Sequence, residues 1–543
     1  MKQYLTEIVT EAARKVGGDI DLPPVIIEKP RIPEHGDAAT NIALQLARPL
    51  RSAPRKIAED IVAEMTYDAS RISEIQIAGP GFINFRYADE GLHEVLKDVE
   101  RAGKSYGMSG LNSGKKVQVE FVSANPTGPL TVGHGRNAVL GDTLARLLEW
   151  TGADVDREYY FNNAGRQMRV LGESVKARYF QITGQDEAFP EGGYEGEYIR
   201  DIARRLIDRH GEGLKGGSGV DLFKEAAEAS IFQEIQNTLR RMNIKMDAFY
   251  NENDLYESGA IEKVLSKLDK KGLLYDKEGA TWFKTTTFGK DKDTVLRKST
   301  GEPTYRLPDM AYHADKLDRG YDLCVDVFGA DHIATYPDVI SALDAMGYDS
   351  SRVDVLVYQF VTIVKDGKPF KMSTRKANYV TLDELMDEVG ADVTRFFFLM
   401  RSPNTHLEFD IGQAKEAGEK NPVFYLQYAH ARIKSIFRKA SEQYQFHGSC
   451  DYSNLTHSSE TRLIKRVTDF PEAIENSALN KEPHRLINYL NELAADFHRF
   501  YHDCHILGEK QEIAHARVSL LAIVALVLAN GLEILGITAP DRM

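Results

Sequence analysis

The sequence predicts an α/β multidomain chain, with a parallel-sheet unit in the middle, an α+β region before it and an all-α region after it. Three observations support this. At 543 residues the chain exceeds the roughly 250–300 at which single cores stop growing, so three or four domains are expected. From Lys115, the apolar Val117, Val119 and Phe121 alternate with polar residues as in a half-buried strand. Asn125-Pro126-Thr127-Gly128-Pro129 breaks that run, and Leu140, Leu144, Leu147 and Leu148 then recur at helical spacing. Beyond about residue 415 the periodicity is helical, with almost no strand signal.

Taken in order, residues 1–105 open on MKQYLTEIVTEAARKVGGD, an amphipathic helix without the apolar core of a signal peptide. Ile77, Phe82, Ile83 and Phe85 form a strand-like stretch broken by Gly79-Pro80-Gly81, and SYGMSGLNSG reads as a linker. Residues 115–380 form the parallel-sheet domain, interrupted by an insertion at about 170–295 that contains the Gly-rich stretch GEGLKGGSG. The runs YDLCVDVFG and RVDVLVYQFVTIV are expected to rejoin the sheet. Residues 381–415 form a helical connector, and 416–543 a helical domain.

Net charge is −13, which argues against a histone-like basic binder but leaves room for local basic patches that contact phosphates. The longest apolar run, 518–529, falls short of the ~20 residues of a membrane span and reads as a buried helix. Cys324, Cys450 and Cys504 are too scattered for a zinc site or a disulfide framework, so small buried hydrophobes in a cytoplasmic protein are expected.

Three groups of residues carry chemistry. In ANPTGPLTVGHGRNA, glycines at a strand-to-helix turn let backbone approach a nucleotide, and His134 stands where the helix start concentrates partial positive charge. An imidazole there suits charge developing on phosphates. In KPFKMSTRKAN, lysines cluster on a polar loop after a strand, as a pyrophosphate leaving group would require; alone, such a cluster is most often solvated surface. The third group offers acceptors for a planar cation. Glu120, Ser123 and Asn125 lie at the end of the first strand, and Tyr305 and Asp309 share one face if a helix starts just before Pro308.

TVGH resembles the HIGH motif of class I aminoacyl-tRNA synthetases, with Thr131 at its first position, and the preceding NPTGPL is the form seen in arginyl-tRNA synthetases. KMSTRK resembles the KMSKS loop, with Thr374 in place of the second lysine. Arginyl enzymes that lack this lysine can carry one shortly before HIGH, a position that is Gly128 here. HGDAATNIA and GPGFINF resemble the family's tRNA-elbow-contacting N-terminal domain, YFNNAGRQM its NDAGRQ segment and VFGADH its WGADH loop beside the nucleotide. NPVFYLQYAHARI and APDRM resemble the opening and end of its anticodon-binding domain.

The resemblance implies a Rossmann-type catalytic domain that joins L-arginine to tRNA(Arg), with ATP and Mg²⁺ as substrate complex and no structural zinc. His134, Lys371 and Lys376 would be catalytic. Thr131, Gly133, His134, Gly329, Asp331, His332, Lys371, Met372 and Ser373 would meet ATP. Ser123 and Asn125 would hold the α-amino and carboxylate end of arginine, and Glu120 or Asp309, with Tyr305, its guanidinium. Asn84, Tyr425, Tyr428, Tyr489 and Met543 would meet tRNA, aromatic side chains being able to stack on splayed bases. The family further implies a monomer that needs tRNA before it activates the amino acid. Two other readings stand beside this one: a class I synthetase for another amino acid, and an inactive synthetase-like RNA-binding protein, for which Thr131 and Thr374 are the only support.

Overall fold

The computed structural model describes the whole chain apart from residues 31, 164–165, 215–218, 366, 370–379, 417 and 419, with backbone alone at 33 and 331. Its centre is a five-stranded sheet whose spatial order is Val353–Tyr358, Leu323–Gly329, Lys116–Glu120, Asp154–Phe161, Ala248–Asn251. Every neighbouring pair is parallel. In chain order this is fifth, fourth, first, second, third, a doubly wound arrangement that reverses between the first and fourth strands. Ligands in such sheets bind at that reversal, outside the carboxyl ends of the strands. Here those ends are Glu120 and Gly329.

The helix Val132–Trp150 crosses this reversal and is buried nearly all round, which explains its weak amphipathic pattern in sequence. It packs closely on the strand end. A Cβ built on Gly141 would lie 2.2 Å from Phe121 Cγ, a contact that only glycine avoids.

The insertion predicted at about 170–295 is not a single piece, because Ala248–Asn251 within it returns to the main sheet as an edge strand. The helices Arg166–Ile182, Glu197–His210 and Val220–Arg241 come before that strand, and a three-stranded antiparallel sheet, Leu274–Lys277, Ala280–Phe283 and Thr294–Arg297, after it. Of the Gly-rich loop predicted at 211–219, residues 215–218 lie outside the described residues, and 211–214 form a turn at the end of Glu197–His210. RVDVLVYQFVTIV does not rejoin the main sheet as one piece. Val353–Tyr358 does, but Val361–Lys365 pairs instead with Lys368–Pro369 and Leu407–Asp410 in a separate small sheet. The physical reason is the break at Gln359-Phe360, where Arg136 takes the Gln359 carbonyl at 2.5 Å and turns the chain toward the connector.

The N-terminal region packs helices Lys2–Gly17, Ile42–Leu50 and Pro54–Glu64 on a three-stranded antiparallel sheet, in which Ile72–Ala78 and Phe82–Tyr87 form the predicted broken pair. Residues from 422 onward are helical apart from short connections. The apolar run 518–529 lies in Gln511–Ile534, a helix long and apolar enough by length and composition to cross a membrane. Leu520, Leu521, Val524, Val527 and Leu528 are fully buried against the rest of the protein. Cys324 and Cys504 are buried, and Cys450 is half-buried. The N-terminal and helical domains meet through Lys2–Glu472, Lys29–Asp469 and Lys465–Asp37, partly exposed ion pairs that contribute little individually.

The Gly141 contact yields a prediction with a diagnostic sign. Helix propensity alone favours Gly141→Ala by ~1 kcal/mol. Overpacking against Phe121 reverses this, so the variant is expected to be less stable by about 1–3 kcal/mol in urea or thermal unfolding. A variant as stable as the parent would show that the helix–strand contact has slack.

Candidate active site

Backbone strain marks the floor of the cleft. Val122 and Ser123, just past the first strand, have φ of 69° and 41°, a left-handed region that costs a β-branched residue about 1–3 kcal/mol. Asn137 holds this bend. Its Oδ1 accepts the Val122 N–H at 2.5 Å and its Nδ2 donates to the Val327 carbonyl at 2.7 Å, bridging the first and fourth strands at the reversal.

The first helical turn above that floor is built by Thr131 and His134. Thr131 is the N-cap, and His134 closes a capping box by accepting the Thr131 N–H on Nδ1 at 3.1 Å. Threonine at the first motif position thus has a structural role that needs no charge. The Nδ1 contact places the remaining ring proton on Nε2, and burial lowers the imidazole's pKa, so His134 is a neutral Nε2–H donor. Gly133 lies in the same turn. Beyond the fourth strand, Gly329, Asp331 and His332 stand at the turn Ala330–His332, and His332 stacks on Phe328 at 5.2 Å between centroids.

Lys371, Met372, Ser373 and Lys376 lie outside the described residues. The segment that follows them is tied to the helix start. Val132 N–H donates to the Val380 carbonyl at 3.3 Å and Leu382 N–H to the Leu130 carbonyl at 2.8 Å, around an antiparallel bridge between Thr131 and Thr381. The exit of the lysine-rich segment is therefore stapled beside His134.

A buried charge cluster underlies the second half of the cleft. Glu120 and Asp326 sit side by side on the paired strands, and the fully buried Lys316 donates to both at 2.5 Å. Burial opposes the Lys316 charge, but Asp326 and Glu120 outweigh it and raise the ammonium's pKa. His313 reaches the other Asp326 oxygen at 2.8 Å. Ser123 Oγ donates to Glu120 Oε1 at 2.8 Å and accepts the Tyr160 N–H at 3.1 Å. Both Glu120 oxygens are thus engaged, as is Ser123. Asp309 differs: among the described residues its carboxylate has no hydrogen-bond partner, and it stays partly open. Its pKa is pushed up to about 7 by burial, with Glu120 and Glu252 adding to the shift.

The helix carrying Asp309 runs Arg306–Asp318, so it starts two residues before Pro308, which falls in its first turn. Tyr305 precedes it and is 70% exposed rather than turned inward with Asp309. Asn125 is exposed and donates to Gln167 Oε1 at 2.9 Å.

Sequence reasoning missed Lys316, although His313 and Lys316 follow Asp309 at i+4 and i+7, a polar stripe on an otherwise apolar helix face. It also missed Glu252, buried at the end of the third strand and accepting from Tyr160 OH at 3.0 Å, for which no local pattern was visible.

Two expected RNA contacts are corrected. Asn84 is 4% exposed, set in the middle of the N-terminal sheet, and Tyr489 is 6% exposed with its hydroxyl donating to the Arg466 carbonyl. Helix and sheet packing claimed both. Tyr425 and Tyr428 remain half-exposed beside His498, and Met543 is exposed.

Three family models match along the chain: the arginyl-tRNA synthetase N-terminal domain at residues 3–87, the class I (R) tRNA synthetase catalytic domain at 98–397 and the DALR anticodon-binding domain at 426–543. The chain is 52% identical to an arginine–tRNA ligase of Salinibacter ruber, with all of both chains covered. It is 51% identical to one of Desulfotalea psychrophila, with 95% of this chain and 94% of that one covered. The fold matches the solved Thermus thermophilus arginyl-tRNA synthetase at a TM-score of 0.79 and 22% identity, over 100% of both chains. A Rossmann-type domain with its cleft at the strand reversal, flanked by these two further domains over the whole length, places the chain in the arginyl-tRNA synthetase family of class I aminoacyl-tRNA synthetases.

Proposed function

We infer that this protein is an arginine–tRNA ligase, which activates L-arginine with ATP and transfers it to the 3′-terminal ribose of tRNA(Arg). The observation that carries the reading is the pairing, in one cleft, of a neutral imidazole donor at a helix start with an open carboxylate beside a saturated acid cluster. ATP enters as its magnesium complex. The arginine carboxylate oxygen attacks the α-phosphorus, the bond to the bridging oxygen breaks, and pyrophosphate leaves. A ribose hydroxyl then attacks the adenylate carbonyl carbon, loses its proton and displaces AMP. Positioning and charge stabilisation supply most of the rate.

In this reading His134 donates from Nε2 to phosphate oxygens, and Lys371 and Lys376 meet the departing pyrophosphate. Thr131 and Gly133 shape the turn over which the phosphates lie, Met372 and Ser373 close on them, and Gly329, Asp331 and His332 border the nucleoside. The guanidinium falls to Asp309, with Glu252 adding negative charge nearby and Tyr305 at the mouth. Glu120 acts through Lys316 and Ser123 as support. Asn125 offers an amide to the amino-acid end. Tyr425, Tyr428 and Met543 are surface candidates for RNA. The protein is read as a cytoplasmic monomer.

Aminoacylation of total tRNA with each labelled amino acid tests the function: arginine alone is expected to be transferred, and transfer of another amino acid or of none overturns it. Asp309→Ala should lower kcat/KM for arginine by about 2–5 kcal/mol, about 30-fold or more, with a much smaller effect on ATP. Equal losses for both substrates would remove Asp309 from the arginine pocket.

The raised Asp309 pKa gives a pH dependence with a definite sign. Below about 7 the empty pocket holds a protonated, neutral carboxyl, so kcat/KM for arginine should rise with pH through about 7, and Asp309→Asn should flatten that limb. A limb that survives the substitution assigns the titration elsewhere.

Lys371→Ala and Lys376→Ala should lower turnover with little change in the arginine KM, because the pyrophosphate charge develops in the transition state. Unchanged turnover in the double variant would leave that segment as solvated surface. Arginine-dependent pyrophosphate–ATP exchange should be negligible without tRNA and clear once cognate tRNA is added, and robust exchange in the absence of RNA contradicts this.

A further inference from the structure

One cation in the core touches three distant parts of the chain at once. Arg395, in the connector helix Ala391–Leu399, is fully buried. Its Nη2 donates to Asp142 Oδ2 at 2.7 Å, its Nη1 to the Met242 carbonyl at 2.7 Å and its Nε to the Leu535 carbonyl at 2.8 Å. Asp142 belongs to the helix that begins at Thr131 and His134, Met242 ends the last long insertion helix, and Leu535 ends the C-terminal helix Gln511–Ile534.

Neighbouring groups complete the clasp. Arg146 donates to Asp142 Oδ2 at 2.9 Å, to the Glu533 carbonyl at 3.2 Å and to the Asn243 carbonyl at 2.8 Å, while Asn243 Nδ2 donates to the Gly536 carbonyl at 3.3 Å. The last carbonyls of a helix have no partner within it and carry its partial negative charge, so two guanidiniums suit this end. Chain and cation meet so closely that a Cβ on Gly536 would lie 2.3 Å from the guanidinium carbon of Arg395.

A second contact between the connector and the helical domain avoids the catalytic helix. Asp392, one turn before Arg395, accepts from Gln427 Nε2 at 2.9 Å and from Thr538. The Asp392 side chain therefore bonds the helical domain without the catalytic helix, whereas Arg395, one turn later, joins that domain at Leu535 to the catalytic helix at Asp142. Asp142 lies about two turns from His134, some ~12 Å along a single continuous helix. A shift imposed at Asp142 reaches the imidazole through that rigid element.

We propose that Arg395 is a positioning residue for the reaction: it locks the helix Val132–Trp150 to the end of the C-terminal helical domain, so that RNA seated on that domain sets the place of His134 in the cleft. The proposal rests on the ligase reading above and adds the route by which the distant domain acts on the chemistry.

The full-length enzyme is compared with R395K and D392N. Lysine keeps the charge beside Asp142 but cannot span the Met242 and Leu535 carbonyls with a planar fork. R395K is expected to lower kcat for arginine transfer about tenfold, with the KM for tRNA within about twofold. D392N is expected to do the reverse, raising the KM for tRNA with kcat within about twofold. Amide hydrogen exchange over residues 133–136 should quicken in R395K and not in D392N. If thermal melting shows R395K unfolded, R146Q, altered at the more exposed arm of the same clasp, carries the comparison, with a kcat-selective loss of about threefold expected. A variant of the clasp that behaves as D392N does, or leaves exchange over 133–136 unchanged, overturns the proposal. Because exchange needs no reaction, a wild-type protein that transfers no arginine would overturn the ligase reading, while the exchange result would still decide the clasp.

Discussion

Two carboxylates, Glu120 and Asp326, are buried next to each other where the sheet reverses its order, and the ammonium of Lys316 lies against both. Without that ammonium, like charges this close in a poorly solvated site could not both stay ionised. Removing one partner of such a buried group typically costs 3–5 kcal/mol, because the charge left behind is neither solvated nor paired. The rest of the cleft follows from this arrangement. With Glu120 and Asp326 both engaged by Lys316, Ser123 is held in its strained conformation by Glu120 and the Tyr160 N–H, and Asp309 is left nearby without a hydrogen-bond partner for its carboxylate among the described residues. A low dielectric and an unspent negative charge are what a site for a cationic side chain requires.

The second organising element is the helix Val132–Trp150, which serves the two ends of the molecule differently. Its first turn presents His134 and is stapled to the segment leaving the lysine-rich stretch. Arg136, in that turn, collects the carbonyls of Gln359, Ser402 and Thr405, so the small sheet beyond the main one is registered to the same turn. Its middle is gripped by Arg395 at Asp142. Rigid secondary structure between two gripped points is what allows chemistry at one end to depend on docking at the other.

The family motifs were legible because their residues are contiguous and their geometry is local. TVGH is a capping box as well as a motif, and the cap gives threonine at its first position a structural role. The strand at Val117, Val119 and Phe121 and the helix after it were legible as elements, but the half-buried reading of the strand was not correct: Gln118 and Glu120 are buried too, because the strand lies in the middle of the sheet. Tyr489 and Asn84 did not read correctly. An aromatic ring or an amide that stacks on a base and one that fills a core look alike in sequence, and only the packing of neighbouring helices and strands separates them.

What the sequence determined by itself was the order of the domains and the strand–turn–helix that opens the parallel-sheet domain. Each rests on interactions within a few turns or on a contiguous pattern. The tertiary structure alone decided which acid is already paired. Glu120 and Asp309 are equivalent as letters, but Glu120 is claimed by Lys316, 196 positions away, and Asp309 is not. It alone also brought Asp142, Met242 and Leu535 around one guanidinium. Such pairings depend on distances between segments that no local spacing encodes, and charge in a buried site takes its meaning from whatever the fold sets beside it.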